Sequence, residues 1–183
     1  IAWDGLQNCF WVSMAGVAYY ATPYEAVTKV LIVPGAILGV LFPAFAASYR
    51  QDHGRMVRLY SRGTKYIALI LFPGMLLVTA FACEGLRFWL GGEFARHSAP
   101  VLQVLAIGVF VNGIAQVFAT LVQGLGRPDL SAKLHLLEFP IYLPVLWWAI
   151  HRFGILGAAM AWTGRVAVDG ALLFWLASRF LGD

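Results

Sequence analysis

The sequence contains few charged residues, because aspartate, glutamate, lysine and arginine make up only 12% of its 183 residues. Soluble globular domains carry about 25%, so this scarcity of charge excludes an ordinary soluble domain. Hydrophobic residues account for 61% of the chain, and the mean hydropathy is +0.76. The composition therefore predicts a membrane protein with several spans.

The chain also lacks the residue patterns that support most enzyme chemistry. It has two cysteines, Cys9 and Cys83, which provide neither a disulfide framework nor the ligand set of a metal site. No Walker A glycine loop, HExxH helix or nucleophile elbow occurs, and the four histidines show no metal-ligand spacing, so the sequence assigns them no role. We therefore expect no nucleotide hydrolysis, no enzyme activity, no cofactor and no metal site.

Basic residues are spread along the chain and do not form a single patch. The formal net charge is +4, but apolar stretches separate the lysines and arginines. This distribution favours a role in membrane topology and predicts no nucleic-acid partner. The chain begins Ile-Ala-Trp without a methionine or a basic leader, which argues against a signal peptide and predicts a piece of a longer, transporter-sized protein.

Several apolar stretches are long enough to cross a bilayer, which takes about 20 residues. After a partial helix at 1–14, five spans are predicted at 17–48, 66–83, 99–126, 130–150 and 155–181. Open sheets leave unpaired edges in lipid, so each span is expected to be helical. The predicted fold class is an all-α, polytopic transmembrane helical bundle.

Lysine and arginine are unequally distributed between alternate loops, with eight on one side and three on the other. The positive-inside rule places the richer side, which includes 50–65, in the cytoplasm together with the C-terminus. Within that segment Arg55, Arg58 and Arg62 recur at helical spacing. They predict an amphipathic helix at about 51–64 on the inner leaflet, with a solvated loop as the alternative.

Ionisable residues occur inside the predicted spans. Arg165 and Asp169 lie one helical turn apart within 155–181, and Glu138 lies at a comparable depth in the preceding span. A lone charge at the bilayer centre costs at least about 2.5–3.5 kcal/mol, so these residues need a structural or functional reason. One interpretation is a neutralised pair that holds helices together. The other makes Glu138 and Asp169 candidates for binding a proton or a cation whose movement drives transport.

Glu25 and Lys29 form a second pair, spaced by four residues, in the outer part of the span 17–48. Long side chains at such a position can extend to the interface, which is the simpler interpretation. If they face an interior instead, Glu25, Lys29 and Arg165 are candidate substrate contacts. Lys29 and Arg165 are then the cations that would attract an anionic head group.

The span 99–126 carries a polar stripe on one helical face, because its polar residues recur at steps of four, four and three. The stripe consists of Asn112, Gln116, Thr120 and Gln123. Hydrogen bonds between neighbouring helices, worth about 0.6 kcal/mol each on average, would explain it structurally. A stripe that lines a lumen and contacts substrate is the functional alternative.

Five short motifs give the chain a family resemblance. They are LFPAF at 41–45, FWLGGEF at 88–94, PVLQVLAIG at 100–108, GLGRP at 124–128 and GILGAAMAW at 154–162. In this order and between these spans, they resemble the Wzx-type polysaccharide and O-antigen flippases of the multidrug, oligosaccharidyl-lipid and polysaccharide exporter superfamily. In that MATE-like fold two helical bundles face each other across a cavity. The resemblance implies that 1–183 is the C-terminal bundle and that the N-terminal bundle is missing.

The resemblance also implies a function and partners. It implies that an undecaprenyl-diphosphate-linked oligosaccharide is flipped across the bacterial inner membrane by ion-coupled alternating access, with membrane lipid and the missing N-terminal half as partners. Lys29 and Arg165 would meet the diphosphate, and the stripe that begins at Asn112 would meet the sugars. A multidrug exporter of the same superfamily, a membrane glycan polymerase or transferase, and a purely structural subunit are the alternatives.

Overall fold

The computed structural model describes residues 14–49 and 52–181, and within these ranges every regular element is a helix. The predicted all-α fold class is confirmed. The partial helix expected at 1–14 falls, apart from its last residue, outside the described residues.

The helices follow one another with short connections. In chain order they are α1 (Met14–Thr28), a 3₁₀ turn (Lys29–Leu31), α2 (Ile32–Tyr49), α3 (His53–Ala80), α4 (Ala82–Leu90), α5 (Gly92–Gly124) and the helical segment Pro128–Leu181. That last segment is interrupted at Gly154. We call its two parts α6 (128–153) and α7 (155–181).

Proline explains the 3₁₀ turn between α1 and α2. Thr28 and Ile32 both have right-handed helical dihedral angles, so α1, the turn and α2 form one helical run. Pro34 has no backbone N–H, and its ring crowds the carbonyl group of Val30, four residues earlier. The run therefore tightens locally at Lys29–Leu31 instead of ending.

The structure has one helix, α3, where the sequence analysis expects a surface helix at 51–64 and a separate span at 66–83. Asp52 caps the beginning of this helix by accepting a hydrogen bond from the Arg55 backbone N–H at 2.8 Å. The first turns pack on the bundle, since Met56 is fully buried and a Cβ at Gly63 would lie 2.7 Å from Leu41 Cδ1. Packing on α2 therefore continues the span through the basic segment.

A glycine turn folds α6 and α7 into an antiparallel hairpin. Gly154 has φ 60° and ψ −137°, a backbone conformation that L side chains rarely adopt. On either side of the turn the two helices approach closely, because a Cβ at Gly157 would collide with the backbone of Ala149. The small residues around the turn thus bring the two helices into backbone contact.

Helix α5 is the centre of the bundle. Half of its most apolar window is buried inside the protein, against 17–22% in the other spans. Ser98 Oγ on α5 donates to the Tyr19 carbonyl at 2.9 Å, and Thr163 Oγ1 on α7 donates to the Val104 carbonyl at 3.1 Å. Further along α5, Gly113 lies near Leu31 and Ala115 lies near Gly170, so α1 and α7 run parallel to α5. Helix α3 runs antiparallel to it, with Gln103 Nε2 donating to the Thr79 carbonyl at 3.1 Å.

Four helical runs in the described residues are long and apolar enough to cross a membrane. They are Gly16–Ser48, Gly54–Ala80, Gly92–Gly124 and Pro128–Phe180. Large apolar side chains such as Leu69, Leu136 and Phe174 are exposed on their outer faces, where lipid can cover them. The chain is a multi-pass membrane protein.

The Gly157 contact yields a test of hairpin packing. We expect Gly157→Ala to lower the free energy of unfolding by about 1–3 kcal/mol, because a rigid backbone must move to admit the methyl group. Equilibrium unfolding in detergent micelles measures the change. Gly164→Ala is the matched control on α7, since a Cβ there meets nothing within 4 Å. Equal stability of the two variants would contradict the close approach.

Candidate functional site

Four ionisable side chains meet between α6 and α7, and we call them the hairpin cluster: His135, Glu138, Arg165 and Asp169. Arg165 Nε lies 3.5 Å from Glu138 Oε2. His135 Nδ1 lies 3.4 Å from Asp169 Oδ1 and 3.8 Å from Glu138 Oε2. The cluster thus joins three of the residues singled out from the sequence and adds His135.

Helix geometry explains why these side chains converge. His135 and Glu138 are three residues apart on α6, and Arg165 and Asp169 are four apart on α7, so each pair shares a helical face. The antiparallel turn at Gly154 then lays one pair against the other. The arrangement depends on a contact between two helices, which neither helix reveals by itself.

The carboxylates are the most buried members of the cluster. The exposed fraction of the side chain is 11% for Glu138 and 16% for Asp169, against 34% for Arg165 and 50% for His135. Both Glu138 carboxylate oxygens and Asp169 Oδ1 are inaccessible to solvent and accept no hydrogen bond. Buried charged oxygens without hydrogen bonds are costly, so this is a high-energy site.

The charges of the cluster do not balance. Arg165 is closest to Glu138 and not to its own neighbour Asp169, so a neutral intrahelical Arg165–Asp169 pair is not what holds α7. Two carboxylates face one guanidinium, which leaves one negative charge when the imidazole is neutral. The cluster therefore needs one more positive charge to be neutral in an apolar bundle.

The donor atoms of His135, Glu138 and Asp169 lie within 4.8 Å of one another, a spacing that a metal ion can bridge. The Arg165 guanidinium already lies 3.5 Å from one of these oxygens. Its positive charge opposes a metal ion at the same place. We therefore do not assign a metal site.

An apolar groove of about 400 Å³ runs along one side of the hairpin. Glu138, Tyr142 and Arg165 are its polar lining residues, and the remainder are apolar side chains and a glycine. The guanidinium carbon of Arg165 lies 5.2 Å from the centre of the Tyr142 ring, a distance at which a cation interacts with an aromatic face. The aromatic ring and Glu138 together hold Arg165 at the edge of this groove.

Glu25 and Lys29 lie in a separate cleft of about 180 Å³, which Thr22 and Trp89 also line. Both side chains are exposed, and they lie on the side of the α1–α2 run opposite Val27, which is buried in the core. The structure therefore does not bring Lys29 together with Arg165.

The polar stripe occupies a third face of α5. Gly108 and Ala115 contact α7, and Gly113 and Val117 contact α3, so at 100° per residue the stripe points away from both. Asn112, Gln116 and Thr120 are half-buried and Gln123 is exposed. Thr120 Oγ1 donates to the Gln116 carbonyl at 2.7 Å. The stripe lines neither the groove nor the Lys29 cleft.

The sequence analysis missed His135 and Tyr142 as members of this region. A signal for His135 was present, because it precedes Glu138 by three residues and so shares its helical face. Tyr142 follows Glu138 by four residues. Both positions could have been tied to Glu138 by spacing, but their contacts with α7 could not.

The cluster geometry predicts an energetic coupling between Arg165 and Glu138. In a double-mutant cycle of Arg165→Gln and Glu138→Gln, we expect a coupling energy of about 0.5–3 kcal/mol, because loss of Arg165 removes its attraction to Glu138 only when Glu138 carries its charge. Unfolding in detergent micelles supplies the four free energies. The control cycle uses Asp129→Asn and Lys133→Gln, an exposed pair at 3.4 Å, for which about 0.5 kcal/mol or less is expected. Additive effects at Arg165 and Glu138 would contradict the ion pair.

Comparison with known proteins places these features in context. A family model described as "Polysaccharide biosynthesis protein" matches residues 10–99. The chain is 32% identical to a "Putative O-antigen transporter" of Shigella flexneri over 89% of this chain and 38% of that protein. No solved structure matches.

Two further relatives have related names. The chain is 27% identical to the "Succinoglycan biosynthesis transport protein ExoT" of Rhizobium meliloti, over 87% of this chain and 29% of the relative. It is 23% identical to the "Probable low-salt glycan biosynthesis flippase Agl15" of Haloferax volcanii, over 93% and 36%. The chain thus spans 29–38% of the length of these three relatives. The matches confirm the predicted resemblance to the polysaccharide and O-antigen flippases of the multidrug, oligosaccharidyl-lipid and polysaccharide exporter superfamily.

Proposed function

We propose that the chain is the C-terminal bundle of a flippase that moves an undecaprenyl-diphosphate-linked oligosaccharide across the bacterial inner membrane. An ion gradient drives the movement by alternating access, and the product serves polysaccharide or O-antigen biosynthesis. The names of the relatives, an O-antigen transporter and a glycan flippase, support this substrate class. A second bundle, outside this chain, supplies the facing wall of the cavity.

The observation that carries the proposal is the uncompensated negative charge of the hairpin cluster. Glu138 and Asp169 are largely buried, and the single cation Arg165 cannot neutralise both. Charges of this kind inside spans mark ion and proton pathways in membrane proteins. Glu138 and Asp169 therefore carry the coupling charge.

Loading and unloading of that charge gives the protein two energetic states. With the extra positive charge bound, the hairpin buries a neutral cluster and close α6–α7 packing is favoured. Without it, the two carboxylates repel each other and separation or hydration of the helices is favoured. A ligand shifts a conformational equilibrium by its difference in affinity for the two states. Here the bound positive charge favours the closely packed state, because it neutralises the second carboxylate there.

Lys29 is a better candidate for the diphosphate than Arg165. Its ammonium group is exposed and no described acidic group lies within 4 Å of it, whereas Arg165 is engaged with Glu138 and Tyr142. Glu25 and Lys29 are exposed on the α1–α2 run, and the amide groups of Asn112 and Gln116 are half-buried on α5. Polar faces within spans are stable against a polar cavity, not against lipid, which supports a substrate path along them.

The basic end of the bundle, defined by Arg55, Arg58, Arg62 and Arg127, faces the cytoplasm in this proposal. The positive-inside rule supports that orientation. The last residues of α7 lie at the same end, because α7 runs parallel to α5 and ends beside the beginning of α3. The C-terminus is then cytoplasmic and Trp147 and Trp148 lie near the outer interface.

Reconstitution of the full-length protein in liposomes tests the proposal. The probe is a fluorescently labelled sugar on undecaprenyl diphosphate, and a membrane-impermeant quencher reports its arrival in the outer leaflet. We expect flipping that an imposed ion gradient accelerates. Failure to move this probe, under any gradient, would contradict the proposed function, whereas transport of organic cations alone would favour a multidrug exporter.

The same assay tests Lys29. We expect Lys29→Gln to weaken probe binding or flipping about tenfold to a hundredfold, the value of one charge-assisted hydrogen bond to phosphate. Lys65→Gln, at an exposed position on the basic end, is the control and should behave like the wild type. Lys29→Arg should retain most activity. Full activity of Lys29→Gln would remove this residue from the binding site.

A further inference from the structure

We propose that His135 is the group through which a proton enters and leaves the hairpin cluster, so that the coupling ion is a proton. This inference rests on the proposed flippase function and identifies its driving ion. It is carried by the position of an imidazole that connects two buried carboxylates to the surface of the hairpin.

The first observation is the geometry of the imidazole. His135 Nδ1 lies 3.4 Å from Asp169 Oδ1 and 3.8 Å from Glu138 Oε2. Among the described residues, it is the only cationic or potentially cationic side chain within 4 Å of both carboxylates, since Arg165 reaches Glu138 alone. A proton on His135 can therefore pass to either carboxylate after a small movement of one side chain.

The second observation is a gradient of exposure. Half of the His135 side chain is exposed, whereas only 11% of Glu138 and 16% of Asp169 is. His135 lies seven residues after Pro128, about 10 Å along α6 from the basic end. His135 thus lies between the basic end and carboxylate oxygens that solvent does not reach.

The remaining groups around the cluster do not exchange protons near neutral pH. Arg165 faces Glu138 from α7, and arginine keeps its proton in proteins. Tyr142, on α6, lies beside Arg165, and a tyrosine hydroxyl is normally a neutral donor. The mobile proton is therefore shared among His135, Glu138 and Asp169.

The transfer step is balanced in atoms and charge. The Nδ1–H bond of the imidazolium breaks and an O–H bond forms at Asp169 Oδ1 or at Glu138 Oε2. The products are a neutral imidazole and a neutral carboxylic acid, so the net charge of the cluster stays at zero. Rotation of the imidazole then turns Nδ1 toward its exposed side, where it collects another proton from solvent or releases one.

The donor set favours a proton over a hard metal ion. Hard cations prefer several oxygen ligands. The cluster supplies carboxylate oxygens, but it adds an imidazole nitrogen and holds a guanidinium 3.5 Å from one of those oxygens. A proton needs a single lone pair and fits between groups that are already in contact. The geometry therefore points to proton coupling.

The test uses the full-length protein in liposomes that contain a trapped pH-sensitive dye and the labelled undecaprenyl-diphosphate sugar. A pH gradient and a sodium gradient are imposed separately. We expect the pH gradient to drive flipping and proton flux in the wild type, and we expect His135→Gln to reduce both at least about tenfold, as for loss of a proton-transferring group. Exchange of the probe without a gradient should continue in this variant, which shows that it is folded and binds the probe.

Two controls separate a proton relay from a structural role. His151→Gln changes a histidine on the same helix whose ring contacts Trp147, and it should retain proton-driven flipping. Imidazole added to the buffer should restore part of the proton flux in His135→Ala, because a small base can occupy the vacated, exposed position.

The inference and the proposed function fail in different ways. Wild-type proton flux in His135→Gln, together with its loss in Glu138→Gln, would overturn the role of His135. Flipping driven by sodium and insensitive to the pH gradient would overturn proton coupling while leaving a flippase. A wild-type protein that moves no probe under either gradient would overturn the proposed function itself.

Discussion

The need to neutralise charge inside an apolar bundle is the constraint on which this structure depends. Arg165, Glu138 and Asp169 come from two helices that contact each other from the turn to the hairpin cluster. Burying any of these charges alone is costly. Bringing them together lowers that cost but does not remove it, because one carboxylate remains uncompensated and several oxygens accept no hydrogen bond. A structural ion pair would be expected to balance its charges and satisfy its oxygens. The residual imbalance favours the proposed role in moving charge over a role in holding helices together.

Small residues allow the cluster to form. Gly154 reverses the chain in a conformation that suits glycine, and Gly157 lets the backbone of α7 approach that of α6. On the other side of α7, Gly108 and Gly170 let this helix pack closely on α5. The hairpin is therefore held between a tight turn and a central helix, so the facing side chains of α6 and α7 have a defined register. Closely packed interfaces of this kind move between discrete arrangements more readily than they deform.

The sequence predicts the features that depend on one helix and misses those that depend on two. Apolar length alone indicated an all-α membrane bundle, and the rarity of charge in the spans singled out Glu138, Arg165 and Asp169. The partner of Arg165 could not be read in this way, because spacing within α7 suggested Asp169 and only the antiparallel register of α6 supplies Glu138. His135 is missed for the same reason, since its contact with Asp169 is made across the hairpin. The arginine periodicity of 51–64 predicts a helix on the membrane surface, but burial of Met56 and the contact of Gly63 with Leu41 make 53–64 the first turns of α3.

The Lys29 cleft and the hairpin cluster are separate sites, and this separation limits how they can influence each other in the proposed transport. Lys29 belongs to the helical run that begins with α1, the cluster belongs to α6 and α7, and the two clefts share no lining residue. A head group at Lys29 and a proton at Glu138 would then influence each other through packing and not through direct attraction. The connection is short. Tyr24 on α1 packs edge-on against Trp162 on α7, with ring centroids 5.6 Å apart, and the neighbouring Thr163 donates a hydrogen bond to the α5 backbone. Charge loading that shifts α7 against α6 would shift Trp162 as well, and with it the helix that carries Lys29. Coupling of this kind requires two arrangements of the α1–α5–α7 interface that both sites bias. The edge-on ring contact of Tyr24 with Trp162 is where α1 would follow a shift of α7.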